Sequence, residues 1–411
     1  MPKSILPPAT SPRATPKSPA ASAADVRGGS SSRPRLRDLG IEIGRYPTGP
    51  CNAITDVPGV RVGHVTKISG EGDLVPGVGP IRTGVTAVLP ASGDVFTKRV
   101  FAGCYVLNGA GEVTGLSQID EWGVCETPIL LCNTMSVGRV ADATVAWMSA
   151  RHPTIGGEDD VVIPVVGECD DSYLNDAVGR HVTEQDVWTA LETARTGPVQ
   201  EGNVGAGTGM QSFDFSGGIG TSSRIVRIAG IDCVLGALVM TNFGNLENLR
   251  VDGAPIGELL ASHYEDLPRR GPAGSIIVLL STDVPLVHRQ LVRLAKRAAL
   301  AIGRCGGYVA HNSGEFIVTW STANRVPRRR PHARYRVELV LDTALDPLHE
   351  ASIDVVEEAI MNAICAGVPM TGQGGHHTPA LPVEQVKKLL KSHHPLMMGA
   401  STNVVRKARH S

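Results

Sequence analysis

A serine that follows a glycine at the start of an apolar run has the most distinctive chemistry in this chain. Ser275 opens the buried-strand pattern of residues 275–280, directly after Gly274 and a polar, turn-rich linker over residues 266–274. The glycine places no Cβ in the way of the strained peptide geometry that an N→O acyl shift requires. Cleavage before Ser275 would release an α-amine with a reference pKa of about 7.7–8.0, which can accept the hydroxyl proton of the same residue. From this segment alone, an ordinary loop–strand junction is the simpler alternative.

Other motifs with chemical potential lack the context that their chemistry needs. The stretch Gly205-Ala-Gly-Thr-Gly209 is glycine-rich, but no helix pattern follows it to hold a phosphate, so a backbone turn that lines a pocket is the better interpretation. The 13 histidines include no H-E-x-x-H, and the G-x-S-x-G elbow of α/β-hydrolases does not occur. We therefore expect no metal and no cofactor, and a serine that is activated by some other means.

The elements that must position this serine follow from the periodicity of the apolar residues. Short runs rich in Val and Ile, bounded by Gly, Pro or Asn, predict strands, and 3.6-residue spacing predicts helices. A variant capping box begins at Thr183, with Gly197 able to end its helix. Together they indicate a layered α/β protein with sheets between helices. The predicted strands are 85–89, 129–132, 161–166, 233–240, 275–280, 315–320 and 336–341, and the other predicted helices are 137–150, 285–302 and 352–366.

Composition bounds the organisation of the chain and its partners. Of 411 residues, 42% are hydrophobic and only 4% aromatic, and the formal net charge is −1, which indicates a globular protein without a strong attraction to nucleic acid. We predict a disordered Pro/Ser/Ala-rich leader (1–37), one domain (38–380) and a basic C-terminal tail (381–411). The scattered cysteines, without C-x-x-C pairs, favour a cytoplasmic protein, and no apolar run is long enough for a membrane span.

Several longer motifs resemble one enzyme family. They begin with the opening Asn52-Ala-Ile-Thr-Asp-Val-Pro-Gly-Val-Arg-Val-Gly-His64. The later ones are Asn108-Gly-Ala-Gly-Glu-Val-Thr-Gly115, Gly202-Asn-Val-Gly-Ala-Gly-Thr-Gly-Met210, Gly217-Gly-Ile-Gly-Thr221, and Gly274-Ser275 with the strand and Thr282-Asp-Val-Pro285 that follow. In this order they resemble the L-aminopeptidase/D-esterases and β-peptidyl aminopeptidases, from about residue 38 to about residue 370.

The resemblance implies roles for five residues. Ser275 corresponds to a nucleophile that self-cleavage releases. Ser313 and Glu315 correspond to a serine and a carboxylate that hydrogen-bond around the nucleophile and its amine, where Glu315 would hold the ammonium or steer its proton. Asn242 corresponds to an oxyanion-hole amide, and Glu168 to an acid that receives the substrate's free amino group. Taken singly, each of these residues also has an ordinary structural interpretation.

One position departs from the family pattern. The resemblance implies a tyrosine two residues after Glu168, where it would assist the oxyanion, and this chain has Asp170 there. A carboxylate would repel an oxyanion, so we expect Asp170 to bind the substrate's amine. Tyr173 or a water molecule could take the oxyanion role.

The resemblance also implies a fold, an assembly and an activity. We expect a four-layer α/β/β/α sandwich, cleaved into an α chain that ends at Gly274 and a β chain that starts at Ser275. We expect a homo-oligomer, commonly four αβ units, that hydrolyses N-terminal residues from short peptides or from amino-acid amides and esters. The alternatives are an acyltransferase of the ornithine-acetyltransferase type and a non-catalytic oligomeric scaffold of the same fold.

Overall fold

The computed structural model of the chain describes residues 33–264, 273–329 and 334–393. The predicted leader before residue 33, the linker up to residue 272 and the tail after residue 393 lie outside the described residues. The helices are α1 (Leu116–Trp122), α2 (Val137–Arg151), α3 (Glu184–Glu192), α4 (Ile256–Ala261), α5 (His288–Ala298), α6 (Leu300–Arg304), α7 (Asp346–Ala366) and α8 (Val383–His393). The strands are β1 (Arg61–Ser69), β2 (Ile81–Leu89), β3 (Lys98–Gly109), β4 (Val124–Cys125), β5 (Ile129–Asn133), β6 (Val165–Cys169), β7 (Gln211–Ser212), β8 (Phe215–Ser216), β9 (Gly218–Ile228), β10 (Ile231–Asn242), β11 (Ala273–Thr282), β12 (Asn312–Pro327), β13 (Met370–Thr371) and β14 (His377–Thr378).

Two sheets carry the fold. The first has four strands in the order β1-β2-β5-β6, and the second has six in the order β4-β3-β12-β11-β10-β9. Strand β12 and nearly all of β11 follow the Gly274–Ser275 bond in the chain, but they lie at the centre of the six-stranded sheet, between β3 and β10, which precede that bond. A cut between Gly274 and Ser275 would therefore leave both fragments hydrogen-bonded in one sheet.

The two sheets face each other and are covered by helices on their outer sides. Between them lies an apolar core to which Leu131 of β5 and Ile277 of β11 both contribute. Helices α2 and α3 pack on the four-stranded sheet, and α5 and α7 pack on the six-stranded sheet. This is the four-layer α/β/β/α sandwich that the sequence predicts. In the described ranges, no helix is both long and apolar enough to cross a membrane.

A tight hairpin joins β9 to β10 and sets the register of the strand that ends beside the candidate nucleophile. Its two central residues, Ala229 and Gly230, have φ values of 49° and 85°. Positive φ at both positions is the geometry of the type I′ turn, whose twist matches that of antiparallel strands. Strand β10 then runs without a register shift to Asn242, which lies opposite Ser275 on β11.

The helices differ from the predictions mainly at their ends. Helix α3 begins at the capping box of Thr183 as predicted, but it ends at Thr193 rather than near Gly197. The predicted helix 285–302 begins only after Val287, whose backbone N–H is capped by the Gln290 side chain, and it is divided between α5 and α6. Helix α7 begins six residues earlier than predicted. It is buried on almost every side, as expected for a helix that other parts of the protein enclose.

Two strand predictions are wrong. Residues 336–341 form an apolar run that ends in Leu-Val-Leu, but they form no strand, and Val337, Leu339 and Leu341 are all exposed. Instead, the Asn324 side chain donates to the carbonyl oxygen of Glu338 and accepts from its backbone N–H. A side chain therefore satisfies the backbone groups that a neighbouring strand would otherwise bond. The predicted strand 161–166 is displaced and becomes β6, because Val161 and Ile163 are exposed and Pro164 has no N–H to donate.

Folded structure extends beyond the predicted limits of the domain at both ends. Arg37, which the sequence places in the leader, bonds the buried Glu358 of α7, and Arg33 donates to the carbonyl oxygen of Cys365. At the other end, α8 packs Val386 and Leu390 into the core. These contacts tie residues 33–37 and 383–393 to the layer that α7 occupies.

Candidate active site

The peptide bond between Gly274 and Ser275 lies inside strand β11, not at a junction between a loop and a strand. In the parallel pairing of β11 with β12, Gly274 is the partner of Ser313 and Ser275 is the partner of Gly314. Ser275 is only 7% exposed, and its Oγ accepts a hydrogen bond from the Gly314 backbone N–H at 3.3 Å. The candidate nucleophile is therefore oriented by backbone on a central strand of the larger sheet.

Close packing, rather than an unusual backbone angle, explains the glycine before Ser275. A Cβ on Gly274 would lie 2.3 Å from the carbonyl oxygen of Asn242 and 2.8 Å from the Cα of Phe243. Both are backbone atoms of the β10 end, which a side-chain rotation cannot move. Gly274 permits this approach of β10 to the Gly274–Ser275 bond, a reason that the sequence analysis did not anticipate.

A cavity of about 510 Å³ opens at the Gly274–Ser275 bond and joins the two sheets. It brings Ser275 together with Glu168 and Asp170, two of the predicted substrate-binding residues. Its other walls include the exposed side chains of Met135 and Val178. The cavity is wide enough for a short peptide terminus, with a nucleophile at one end and acids within it.

Glu168 is a fixed and buried acid within this cavity. It lies in β6, is 3% exposed, and accepts hydrogen bonds from the Glu112 backbone N–H at 2.9 Å and from the Thr134 hydroxyl. Burial raises the pKa of the carboxyl, and the two hydrogen bonds partly offset this rise. A carboxylate held in this way would gain from an ammonium partner, because a buried charge without one is costly.

Asn242 connects the nucleophile strand to the loop that carries Asp170. Its Nδ2 donates to the Asp170 carbonyl oxygen at 2.9 Å, and its Oδ1 accepts from the Gln211 backbone N–H at 3.0 Å. The Asp170 carboxylate accepts from the Ser172 backbone N–H at 2.8 Å. The next residue, Asp171, is fully buried and bonds the Asn133 side chain, which holds the loop in place.

Tyr173 is not among the residues that line the large cavity. Its ring stacks on His376 with centroids 4.5 Å apart and an interplanar angle of 7°. The structure therefore gives no support to Tyr173 as a substitute for the tyrosine that the family pattern would have at position 170.

Ser313 and Glu315 bond each other, but they do not share a cavity with the Ser275 hydroxyl. The Ser313 hydroxyl donates to Glu315 Oε1. Side chains alternate between faces along a strand, and Glu315 is the partner of Ile276, so its carboxylate lies on the face opposite to the Ser275 side chain. Both residues line a second, smaller cavity behind Gly274. Burial raises the pKa of the Glu315 carboxyl.

Sequence reasoning missed three groups that hold the site: the backbone N–H of Gly314, the backbone N–H of Glu112 and the hydroxyl of Thr134. Two of the three are backbone donors, which residue type does not reveal. Glu112 does lie in a glycine-rich motif that the sequence analysis singled out, and a Cβ on its neighbour Gly111 would come within 2.8 Å of Glu168 Oε1. Among the described residues, no cluster of three or more metal-ligating side chains occurs.

Comparisons with known proteins agree with this geometry. The model of peptidase family S58 matches residues 52–378. The β-peptidyl aminopeptidase BapA of Sphingosinicella microcystinivorans is 43% identical over 380 residues, which cover 89% of this chain and 94% of that protein. A second BapA, from Sphingosinicella xenopeptidilytica, is 38% identical over 88% of this chain and 92% of its own.

Solved structures are similar over most of the chain. The PH0078 protein of Pyrococcus horikoshii OT3 superposes with a TM-score of 0.83 at 43% identity, over 87% of this chain and 99% of that one. The L-aminopeptidase D-Ala-esterase/amidase of Ochrobactrum anthropi, described as a prototype of the serine aminopeptidases and a variant of the Ntn-hydrolase fold, has a TM-score of 0.81 at 41% identity, over 88% and 99%. The chain therefore belongs to peptidase family S58 and is a self-processing serine aminopeptidase with this variant of the N-terminal-nucleophile hydrolase fold.

Proposed function

We propose that Ser275, released by cleavage of the Gly274–Ser275 bond, is the nucleophile that removes N-terminal residues from short peptides and from amino-acid amides and esters. One observation carries this proposal: Ser275 and the buried acid Glu168 line the same cavity. The acid can bind the free ammonium of a substrate while the serine reaches the carbonyl carbon that follows it.

The proposed reaction has two steps, which are linked by a covalent acyl-enzyme. The α-amine of Ser275 takes the hydroxyl proton, and Oγ attacks the carbonyl of the substrate's first residue. The C–N bond breaks, and the leaving amine takes the proton. Water then adds to the carbonyl carbon of the ester, and the bond between that carbon and Oγ breaks. The amino acid is released, and the hydroxyl of Ser275 is restored.

Asn242 and Asp170 are proposed to bind opposite charges of the reacting substrate. Asn242 lies opposite Ser275, and its amide nitrogen donates to the carbonyl oxygen of Asp170, which holds the amide beside the nucleophile strand. Its amide is the proposed donor to the tetrahedral oxyanion. Asp170, which would repel an oxyanion, is assigned with Glu168 to the substrate's ammonium.

The proposed substrates carry a β-amino acid at their N-terminus. Two relatives with about 40% identity over nearly the whole chain are β-peptidyl aminopeptidases, and the two acids of the cavity suit an unblocked amine. Turnover of β-alanine and L-alanine p-nitroanilides should favour the β-residue, and N-acetylated versions should be resistant. Equal cleavage of the blocked substrates would contradict the assignment of the two acids. Acetyl transfer from acetyl-ornithine would indicate the acyltransferase instead.

The acyl-enzyme tests the nucleophile directly. Acid quenching during turnover of an ester substrate, followed by digestion and peptide mass spectrometry, should find the substrate's acyl group on the peptide that begins with Ser275. Acylation of a different residue would overturn the assignment. The Ser275→Ala variant is the control and should carry no acyl group.

We further propose a homo-oligomer, commonly of four αβ units, in the cytoplasm. The exposed apolar side chains of Trp122, Val161 and Ile163 surround one shallow cavity, which supports self-association. The free cysteines, several of them buried, are compatible with a reducing compartment. Light scattering on the purified enzyme should give the mass of four units, and the mass of a single αβ unit would contradict it. Cell fractionation should recover the enzyme in the cytoplasmic fraction, and recovery elsewhere would contradict that location.

A further inference from the structure

A cavity of about 470 Å³ lies at the edge of the four-stranded sheet where β1 begins and β2 ends. Arg61, the first residue of β1, and Leu89, the last residue of β2, both line it. The C-terminal turns of α2 and α3 complete its walls with Trp147 and Leu191. We call it the Trp147 cavity. None of the residues that line it is assigned a part in the proposed reaction.

The Trp147 cavity is separate from the substrate cavity. Pro128, directly before β5, lines the Trp147 cavity, and Thr134, directly after β5, lines the substrate cavity. In the same way, Met135 lies just before α2 at the substrate cavity, and Arg151 ends α2 at the Trp147 cavity. Helix α2 has 15 residues and is therefore about 22 Å long. A ligand of the Trp147 cavity would thus leave the substrate's space free.

Most charged side chains in the walls of the Trp147 cavity already have partners. Arg151 Nη2 lies 3.2 Å from Glu192 Oε1, and the Arg151 guanidinium carbon lies 3.8 Å from the centroid of the Trp147 ring. His152 Nε2 lies 3.3 Å from Asp94 Oδ1, and two backbone N–H groups donate to the same carboxylate. Because both acids already have donors, the cavity offers little to the cation of a ligand.

Arg61 is the charged residue of this wall that has no such partner. It is half-buried, and its guanidinium makes no hydrogen bond or ion pair with the residues that the structure describes. A guanidinium presents its N–H donors in a planar fork that matches a carboxylate. In the same wall, the indole N–H of Trp147 is buried and donates to no described residue, which is unfavourable. Both unpaired groups are donors, so the cavity suits an anion.

The rest of the wall limits what kind of anion fits. Leu89, Pro90, Met148 and Leu191 are all buried and line the cavity with apolar surface. The hydrocarbon part of a ligand would be stabilised by removing this surface from water. An inorganic phosphate would leave it uncovered. The volume is within the range of small-molecule sites in proteins.

We propose that the Trp147 cavity binds a small carboxylate with an apolar body, and that Arg61 holds the carboxylate group. This site lies outside the reaction: Arg61 belongs to the motif at residues 52–64, and no step of the proposed mechanism uses its side chain. The proposal therefore stands or falls separately from the proposed function.

Titration of the purified enzyme with 4-methylpentanoate tests the site, with the neutral 4-methylpentanamide as the matched ligand. Because Trp147 lines the cavity, the carboxylate should change the tryptophan fluorescence in a saturable way. The amide should bind at least about tenfold more weakly, since it lacks the charge that strengthens a hydrogen bond to a guanidinium. Equal affinities for the two ligands, or no saturable binding of the carboxylate, would overturn the proposal.

Two arginine variants locate the bound carboxylate. Arg61→Gln should weaken binding of 4-methylpentanoate by at least about tenfold, because it removes the charged donor. Arg195→Gln removes the same charge from an exposed side chain that does not line the cavity, and its affinity should equal that of the wild type. Turnover should be unchanged in both variants, which checks that they fold. Wild-type affinity in Arg61→Gln would overturn the proposal, and so would equal losses in both variants.

A third variant tests the position of the ligand without changing any charge. Trp147→Phe should still bind 4-methylpentanoate in calorimetry, within about tenfold of the wild type, but it should lose most of the fluorescence change. A full fluorescence change in Trp147→Phe would place the ligand elsewhere and overturn the proposal. The comparison of carboxylate with amide uses the wild-type enzyme, so it decides the question even if Arg61→Gln does not fold.

Discussion

The two sheets of this enzyme carry different residues of the candidate active site. The six-stranded sheet carries Ser275, Asn242, Ser313 and Glu315 on adjacent strands in fixed register. The four-stranded sheet carries Glu168 in β6, and Asp170 follows directly after that strand. The groups proposed to break the bond therefore lie on adjacent strands of one sheet, and the groups proposed to bind the substrate's amine lie on the facing sheet.

This division predicts two kinds of mutant. Changes in the six-stranded sheet should lower kcat or block self-cleavage, because they alter the groups that act on the carbonyl. Changes in the four-stranded sheet should raise KM for substrates with a free amine and leave kcat nearly unchanged. A KM effect from a change in the six-stranded sheet, or a kcat effect from a change in the four-stranded sheet, would contradict this division of roles.

The largest effect should come from the nucleophile. Ser275→Ala should lower kcat/KM by at least about 10⁴-fold, as removal of a serine nucleophile does in other hydrolases. Ser172→Ala removes a different hydroxyl from the wall of the same cavity and should change kcat/KM by no more than about twofold. Steady-state assays on both variants measure the difference, and comparable losses in both would argue against a special role for Ser275.

The next effect concerns the approach of β10 to the Gly274–Ser275 bond. Gly274→Ala introduces a Cβ that would overlap the Asn242 carbonyl oxygen at 2.3 Å, so the strand must shift. We expect self-cleavage to slow by about 100-fold, since a displacement of about 1 Å at a reacting group has effects of that size. A time course by gel electrophoresis would measure it, with Gly138→Ala as a control, where a Cβ meets no atom within 4 Å. Wild-type cleavage of Gly274→Ala would show that the strands tolerate the shift.

On the four-stranded sheet, Glu168→Gln should raise KM by about 100-fold. The change removes one charge of a buried ion pair with the substrate, which costs about 3 kcal/mol. Glu112→Gln is the matched control, because Glu112 hydrogen-bonds Glu168 through its backbone N–H and its side chain is exposed. A fall in kcat at constant KM for Glu168→Gln would move this acid into the catalytic step.

The smallest effect is a pH dependence of amine binding. Burial raises the pKa of Glu168 above its ordinary value of 4.5, so the carboxyl becomes neutral at a higher pH than a free glutamate does. The inhibition constant of a simple amine such as 3-aminopropanol should rise tenfold per pH unit below that pKa, because only the carboxylate binds an ammonium. The same constant should be independent of pH in Glu168→Gln. A slope that persists in the variant would assign the titration to a different group.

The sequence predicted those parts of the site that local patterns encode. The apolar run after Ser275 and the capping box at Thr183 each specify an element through residues close in sequence, and both elements occur. The layered architecture also follows from such runs. Residues 336–341 also form an apolar run, but a strand needs a partner strand, and three of the four apolar side chains of this segment are exposed.

The sequence did not predict the register between strands that lie far apart in the chain. Nothing near Asn242 indicates that it lies opposite Ser275, and nothing near Glu315 indicates that its carboxylate faces away from the serine's hydroxyl. The resemblance placed all of these residues around one nucleophile. Only the pairing of the strands shows that Ser275 and Glu315 line two different cavities, with Gly274 between them.

The central claim is that this chain cuts itself before Ser275 and thereby makes its own catalytic base. Intact mass spectrometry of freshly purified protein, beside the Ser275→Ala variant, tests it most directly. The account predicts two fragments in the wild type, residues 1–274 and 275–411, and one full-length chain in the variant. A wild-type chain that stays uncut after long incubation, or a variant that is cut at the same bond, would contradict it.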